Sequence, residues 1–137
     1  MNMGEEVRRF YTVREANEAL PHVSSLLYSM RQARARIVTR QDELDAITEK
    51  ARQNGSARHA EALLTEVEAA ASTLRADYQH LLEMGIELKD LERGLIDFPA
   101  YRLGRVVYLC WLFGEPEVGW WHEIAAGFAG RQTLANF

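Results

Sequence analysis

Residues 94 to 122 read GLIDFPAYRLGRVVYLCWLFGEPEVGWWH, and the punctuation of this stretch decides the fold. Glycines at 94, 104, 114 and 119 and prolines at 99 and 116 cut it into short segments rich in β-branched and aromatic residues. That is the composition of strands separated by turns. The spacing predicts strands at Leu95 to Phe98, Arg105 to Leu112 and Val118 to His122, with turns at Pro99 to Gly104 and at Gly114-Glu115-Pro116. Strands joined in this way form a three-stranded antiparallel meander. In the middle strand Val106, Tyr108, Cys110 and Leu112 fall on one face, and Val107, Leu109, Trp111 and Phe113 on the other. Both faces are apolar, so both need cover. Helices from earlier in the chain supply one layer; the tail from Ile124 to Phe137, or a second subunit, supplies the other.

Upstream of Gly85 the texture changes. Between Thr12 and Gly85 there is one proline, Pro21, and one interior glycine, Gly55. Thr12 and Glu15 have the spacing of a capping box, in which each side chain bonds the other residue's backbone N–H. A short helix is predicted to start there and to break at Leu20-Pro21, with a long helix from Pro21 to about Gln53. Val23, Met30, Ile37, Leu44 and Ala51 recur every seven residues in it, flanked by Leu20, Leu26, Leu27, Ala33 and Ile47. Asn54-Gly55-Ser56 is a stop followed by a cap. The next helix, Ala57 to Met84, places Ala60, Val67, Leu74 and Leu81 in one row and Leu64, Ala71 and Tyr78 in a second. The expectation is therefore α+β: a long, coiled-coil-like antiparallel two-helix hairpin with a short N-terminal helix, then a small antiparallel sheet. Residues 1–137 read as a single domain, 12–84 forming the hairpin and 85–137 the aromatic-rich β half with its tail.

Composition excludes several classes of function. Sixteen Lys and Arg against twenty Asp and Glu give a net charge of −4, a poor match for nucleic acid or an anionic membrane surface. The basic run Arg31, Arg34, Arg36, Arg40 does not share one helix face and has no aromatic residues between its members. One cysteine, Cys110, allows no internal disulfide. With no secretory pattern and no apolar run of membrane-spanning length, a cytoplasmic location is expected. No phosphate-binding glycine loop, nucleophile elbow, HExxH or CxxC motif occurs.

What chemistry the sequence offers lies in the β half. His122 ends a strand beside aromatic residues, where burial and a nearby carboxylate would tune its charge. Asp97, inside an apolar strand, must find a donor or a cation. Glu115 sits in a turn. If Asp97, Glu115 and His122 converge, they form a mixed oxygen and nitrogen set for a divalent transition metal, with His122 and Asp97 as catalytic candidates. The alternative is structural: an ion-paired aspartate, a solvated turn glutamate and a hydrogen-bonded packing histidine. Cys110, mid-strand among apolar neighbours, reads as a buried structural thiol.

The strings Leu88-Lys89-Asp90, Gly94-Leu95-Ile96-Asp97-Phe98-Pro99, Val107 to Trp111, Gly114-Glu115, Trp121-His122 and Gly127 to Arg131 together resemble an uncharacterised bacterial family, the domain of unknown function numbered 2203. Phe10-Tyr11-Thr12 through Pro21 is similar to that family's start, so the resemblance spans nearly the whole chain. It implies a small stand-alone protein of this architecture and brings no activity with it. The resemblance places motif positions on Lys89, Asp90, Asp97, Glu115, Trp121, His122 and Arg131. Of these, Lys89, Asp90, Trp121 and Arg131 are the candidate ligand-binding residues around the metal set.

Two functional expectations follow. The first is a non-enzymatic interaction, assembly or accessory protein, a homo-oligomer or the partner of another protein, since a two-helix hairpin is thin and the aromatic half suits an interface. The second is a metal or small-ligand site at Asp97, Glu115 and His122, with metal-assisted hydrolysis or acid/base chemistry.

Overall fold

The computed structural model describes residues 9–47 and 55–137. Two long helices are followed by a five-stranded antiparallel sheet, an α+β fold. Helix α1 spans Val13–Ala46 and α2 spans Ala57–Glu83. The strands are β1 Glu87–Asp90, β2 Leu95–Arg102, β3 Arg105–Leu112, β4 Trp120–Glu123 and β5 Gln132–Thr133. They lie in chain order, each antiparallel to the next. The chain divides into two compact units, one of residues up to Leu27 together with His80–Phe137, the other Tyr28–Gln79.

The capping box forms as the spacing predicts: Thr12 N–H donates to Glu15 Oε1 at 2.9 Å and Glu15 N–H to Thr12 Oγ1 at 3.0 Å. The predicted break at Pro21 does not occur: the expected short helix and the start of the long one form a single element, α1, running through Pro21. An interior proline costs about 3 kcal/mol. On either side of it, however, Ala16, Leu20, Val23, Leu26 and Leu27 are buried, and each large apolar side chain so buried returns about 1.5–3 kcal/mol. Packing outweighs the missing hydrogen bond, and Pro21 itself is exposed. Helix α1 ends at Ala46 with Ile47 already outside it, short of the expected run to about Gln53; Gln53, the heptad position Ala51 and the stop residue Asn54 lie outside the described residues, and Gly55 has a left-handed φ of 89°.

In the helical unit Met30, Ala33, Leu44, Leu63 and Ala70 are buried, and Arg40 Nε donates to Glu66 Oε1 across the hairpin at 2.9 Å. The second predicted row of α2 is displaced by one residue. Leu64 and Tyr78 are 49% and 41% exposed, whereas Leu63 and Ala70 are buried. The seam continues from these to Asp77, whose Oδ2 is buried without a hydrogen-bond partner. A polar residue at the third position of the true row makes the adjacent row look the more apolar of the two.

In the other unit, alternate sheet residues Ile96, Phe98, Ala100, Val107, Leu109, Trp111 and Trp121 join Tyr11, Ala16, Leu20, Val23, Leu27 and Leu81 in one core. The sheet exceeds the expected three strands at both edges. β1 reads ELKD, too polar to announce itself, and β5 is only two residues long. β2 runs on through Pro99 to Arg102 instead of turning at Pro99. Pro99 tolerates this because β1 pairs with β2 only as far as Asp97, so no ladder bond is lost on that side. Its carbonyl accepts the Tyr11 N–H at 2.7 Å. The turn is therefore two residues, Leu103 and Gly104, at φ 51° and 80°, the pattern of a type I′ hairpin. The last predicted strand begins later, at Trp120, because the Val118 N–H is taken by Asn17 Oδ1 of α1 at 2.8 Å. Among the described residues no helix is long and apolar enough to cross a membrane.

Candidate functional site

The face of the sheet turned away from this core carries the polar groups. Register fixes which ones meet: Asp97 on β2 stands opposite Cys110 on β3, and Tyr108 on β3 opposite His122 on β4. Side chains directly across an antiparallel pair share a face at close range. Asp97, Cys110 and His122 consequently converge, with one potential ligand atom from each lying within 4.8 Å of the other two. All three are buried; Asp97 and His122 are each 2% exposed.

The hydrogen bonds determine where protons sit. His122 Nδ1 is 2.7 Å from the carbonyl of Glu123, which can only accept, so Nδ1 donates. The Glu123 side chain is gripped by Arg105, Nε to Oε1 at 3.0 Å with a second contact from Nη2 to Oε2, and this anchors the residue. His122 Nε2 faces Asp97 Oδ2 at 2.9 Å. With Nδ1 already protonated, that contact needs a proton between nitrogen and oxygen. The pair is an imidazolium against a carboxylate or an imidazole against a carboxylic acid, and in either form its net charge is zero. Burial raises the Asp97 carboxyl above its ordinary range, with His122 and Lys89 pulling the other way. Oδ1 of Asp97 is buried and has no hydrogen-bond partner among the described residues.

The Cys110 thiol lies against the Asp97 carboxylate and is pushed up to about 12, first by burial and then by the neighbouring negative charge. Arg131 Nη1 approaches its sulfur at 3.9 Å. Around this centre Tyr108 lies tilted beside His122, ring centroids 5.5 Å apart, and donates its hydroxyl to Glu87 Oε2 at 2.5 Å. Lys89 Nζ bonds Glu87 Oε1 at 2.7 Å and stands 5.1 Å from the Tyr108 ring.

Of the residues singled out from sequence, the structure unites Asp97 with His122 but leaves Glu115 outside. Glu115 is held by Arg131 in a bidentate pair, 3.2 and 2.7 Å, and accepts the Leu112 N–H at 2.8 Å. It is a turn anchor whose oxygens are spoken for. Lys89 and Arg131 flank the cluster. Asp90 closes the β1–β2 turn by accepting the Arg93 N–H at 3.0 Å. Trp121 pairs with Leu109 in register, which puts it on the core face, beneath the Arg102 guanidinium at 4.6 Å. The member that sequence reasoning left out is Cys110. A two-residue turn at Leu103-Gly104 would have revealed it, because counting outward from Arg102 opposite Arg105 brings Asp97 opposite Cys110.

A second feature lies at the far end of the β2–β3 hairpin. Leu103 is 81% exposed and Tyr101 58%. Phe10 packs on Tyr101, ring centroids 4.3 Å apart. Beside them a shallow cleft of about 350 Å³ is lined by Phe10, Tyr11, Thr12, Val13, Tyr101 and Phe137.

The molecule is thus a small α+β protein with a sealed polar cluster behind its sheet and an apolar hairpin tip. Residues 9–134 match the family described as uncharacterized conserved protein (DUF2203), and the chain belongs to that family. No curated protein and no solved structure matches it.

Proposed function

We propose that this chain is a non-enzymatic assembly protein that pairs with a second copy of itself through the tip of the β2–β3 hairpin. One observation carries the reading: a leucine occupies the first position of a left-handed turn and is held almost wholly in water. Asparagine or glycine is the economical residue there, since an L side chain in the left-handed region costs about 1–2 kcal/mol. A leucine that is both strained and exposed gains less within its own fold than its strain costs, and gains from a partner. The partner surface lies beside it. The apolar cleft at Phe10, Tyr101 and Phe137 is large enough for a leucine side chain, and knob and hole on one edge are what a two-fold, self-complementary contact needs. Closure of the Asp97 and His122 side chains to solvent speaks against turnover at that cluster. The lone reduced thiol suits a cytoplasmic setting.

The test is the mass of the full chain in solution by sedimentation velocity across a concentration series, alongside Leu103→Asn. A dimer that dissociates in the variant supports the reading. A wild-type monomer throughout the series overturns it, as does a dimer indifferent to Leu103.

A further inference from the structure

The buried cluster suggests a site that the assembly reading does not use. We infer that Asp97, Cys110 and His122 form a binding site for one thiophilic divalent cation of the zinc type. Three observations converge on it. The donor atoms come from three adjacent, hydrogen-bonded strands and lie within 4.8 Å of one another. A tetrahedral ion with bonds of about 2.0–2.3 Å spaces its ligands roughly 3.3–3.8 Å apart, within reach of small side-chain rotations. Next, Asp97 Oδ1 is a buried acceptor that no N–H or O–H group of the described residues reaches; besides His122 the carboxylate has only the weak donor of the Cys110 thiol among its hydrogen-bond partners, and a cation is a stronger partner than a thiol. Last, His122 is already oriented as metal-binding histidines are: Nδ1–H bonds a backbone carbonyl at 2.7 Å and Nε2 points into the cluster.

The charge balance is favourable. An incoming divalent ion displaces the proton shared by His122 and Asp97 and the proton of the Cys110 thiol, so two protons leave as two positive charges enter. The net charge of the cluster stays at zero, and Arg131, 3.9 Å from the sulfur, becomes a donor to a thiolate. One nitrogen, one oxygen and one sulfur ligand select zinc, cobalt or iron over magnesium or calcium. Glu115, committed to Arg131 and to the Leu112 N–H, is no ligand.

The experiment uses full-length protein, stripped with chelator and titrated with Co(II). The expected result is one equivalent bound, with intense visible bands of a tetrahedral ion and a near-ultraviolet sulfur-to-cobalt charge-transfer band. In Cys110→Ser the charge-transfer band disappears and affinity falls by more than about 100-fold, since second-shell changes alone cost 10–100-fold. Glu115→Gln keeps the band, and its loss of affinity, acting only through Arg131, stays well below that of Cys110→Ser. Should Cys110→Ser lose its cooperative thermal transition, His122→Gln is read instead, with the same expected loss of affinity. Absence of the charge-transfer band in the wild type, its persistence in Cys110→Ser, or an equal loss in Glu115→Gln overturns the site. None of these readouts depends on whether the chain dimerises.

Discussion

Leu103→Asn is expected to move fold stability and self-association in opposite directions, and both magnitudes can be worked from the hairpin tip. Leu103 sits at φ 51° and is 81% exposed. Full burial of a leucine side chain contributes about 1.5–3 kcal/mol, so the roughly one-fifth buried here contributes only about 0.3–0.6 kcal/mol to the protomer. Asparagine tolerates the left-handed conformation and removes about 1 kcal/mol of backbone strain. The protomer should gain about 0.5 kcal/mol, seen as a higher urea midpoint at unchanged slope. Unfolding is followed by tryptophan fluorescence at about 1 μM, where mass action limits any contribution from association. In a two-fold contact each copy loses one inserted leucine, about 3–6 kcal/mol per dimer, or about 10²–10⁴-fold in Kd. A lower urea midpoint would show that Leu103 works for its own fold. An unchanged dissociation constant would refute the self-pairing argument even if the strain argument survived.

Three further outcomes are expected. Gly94→Ala should cost about 3 kcal/mol in chemical denaturation, because φ is 73° and the new Cβ would stand 2.4 Å from the Phe113 Cβ; Gly104→Ala, at φ 80° with nothing within 4 Å, should cost only about 1 kcal/mol, and equal losses would mean that the Phe113 contact relaxes freely. Glu115→Ala should cost about 2–3 kcal/mol by the same assay, since it strands the partly buried Arg131 guanidinium and the Leu112 N–H together; a loss under 1 kcal/mol would make Glu115 a solvated turn residue after all. Cys110, buried and pushed up to about 12, should resist alkylation at pH 8 in the native protein and react at once in denaturant, as mass spectrometry of iodoacetamide-treated samples would show; rapid native labelling would mean that the sheet's polar face opens.

How far the fold was legible depended on whether the signal was periodic or contextual. Val23, Met30 and Leu44 recur at heptad spacing and are buried, because a long amphipathic helix repeats its message often enough to survive exceptions. The second row of α2 misleads because half-buried Asp77 sits in the true seam and Leu64 and Tyr78 in the false one, and a polar residue in a seam leaves no mark on a hydrophobicity pattern. Pro21 misleads for a different reason. Its local cost is written in the sequence, while the compensating burial of Ala16, Leu20 and Leu27 is a property of the folded core. β1 was invisible because ELKD pairs through its backbone and uses its side chains for the Glu87, Lys89 and Tyr108 network.

The site was legible in its parts but not in its membership, and the reason is register. Asp97 and His122 announced themselves as polar residues where apolar ones belong. Choosing a third member between Glu115 and Cys110 required knowing which residues face each other across β2 and β3, and one misplaced turn is enough to change every pairing. Placing the turn at Pro99 to Gly104 hid the Asp97 and Cys110 pair; the observed turn at Leu103 and Gly104 creates it. The same two residues then serve both proposals. By closing the hairpin at positive φ they fix the alignment that gathers aspartate, thiol and imidazole, and they present Leu103 to solvent at the opposite end. Turn chemistry and side-chain chemistry can therefore be varied separately: asparagine at 103 should preserve the register, and with it the cobalt spectrum, while removing the apolar knob.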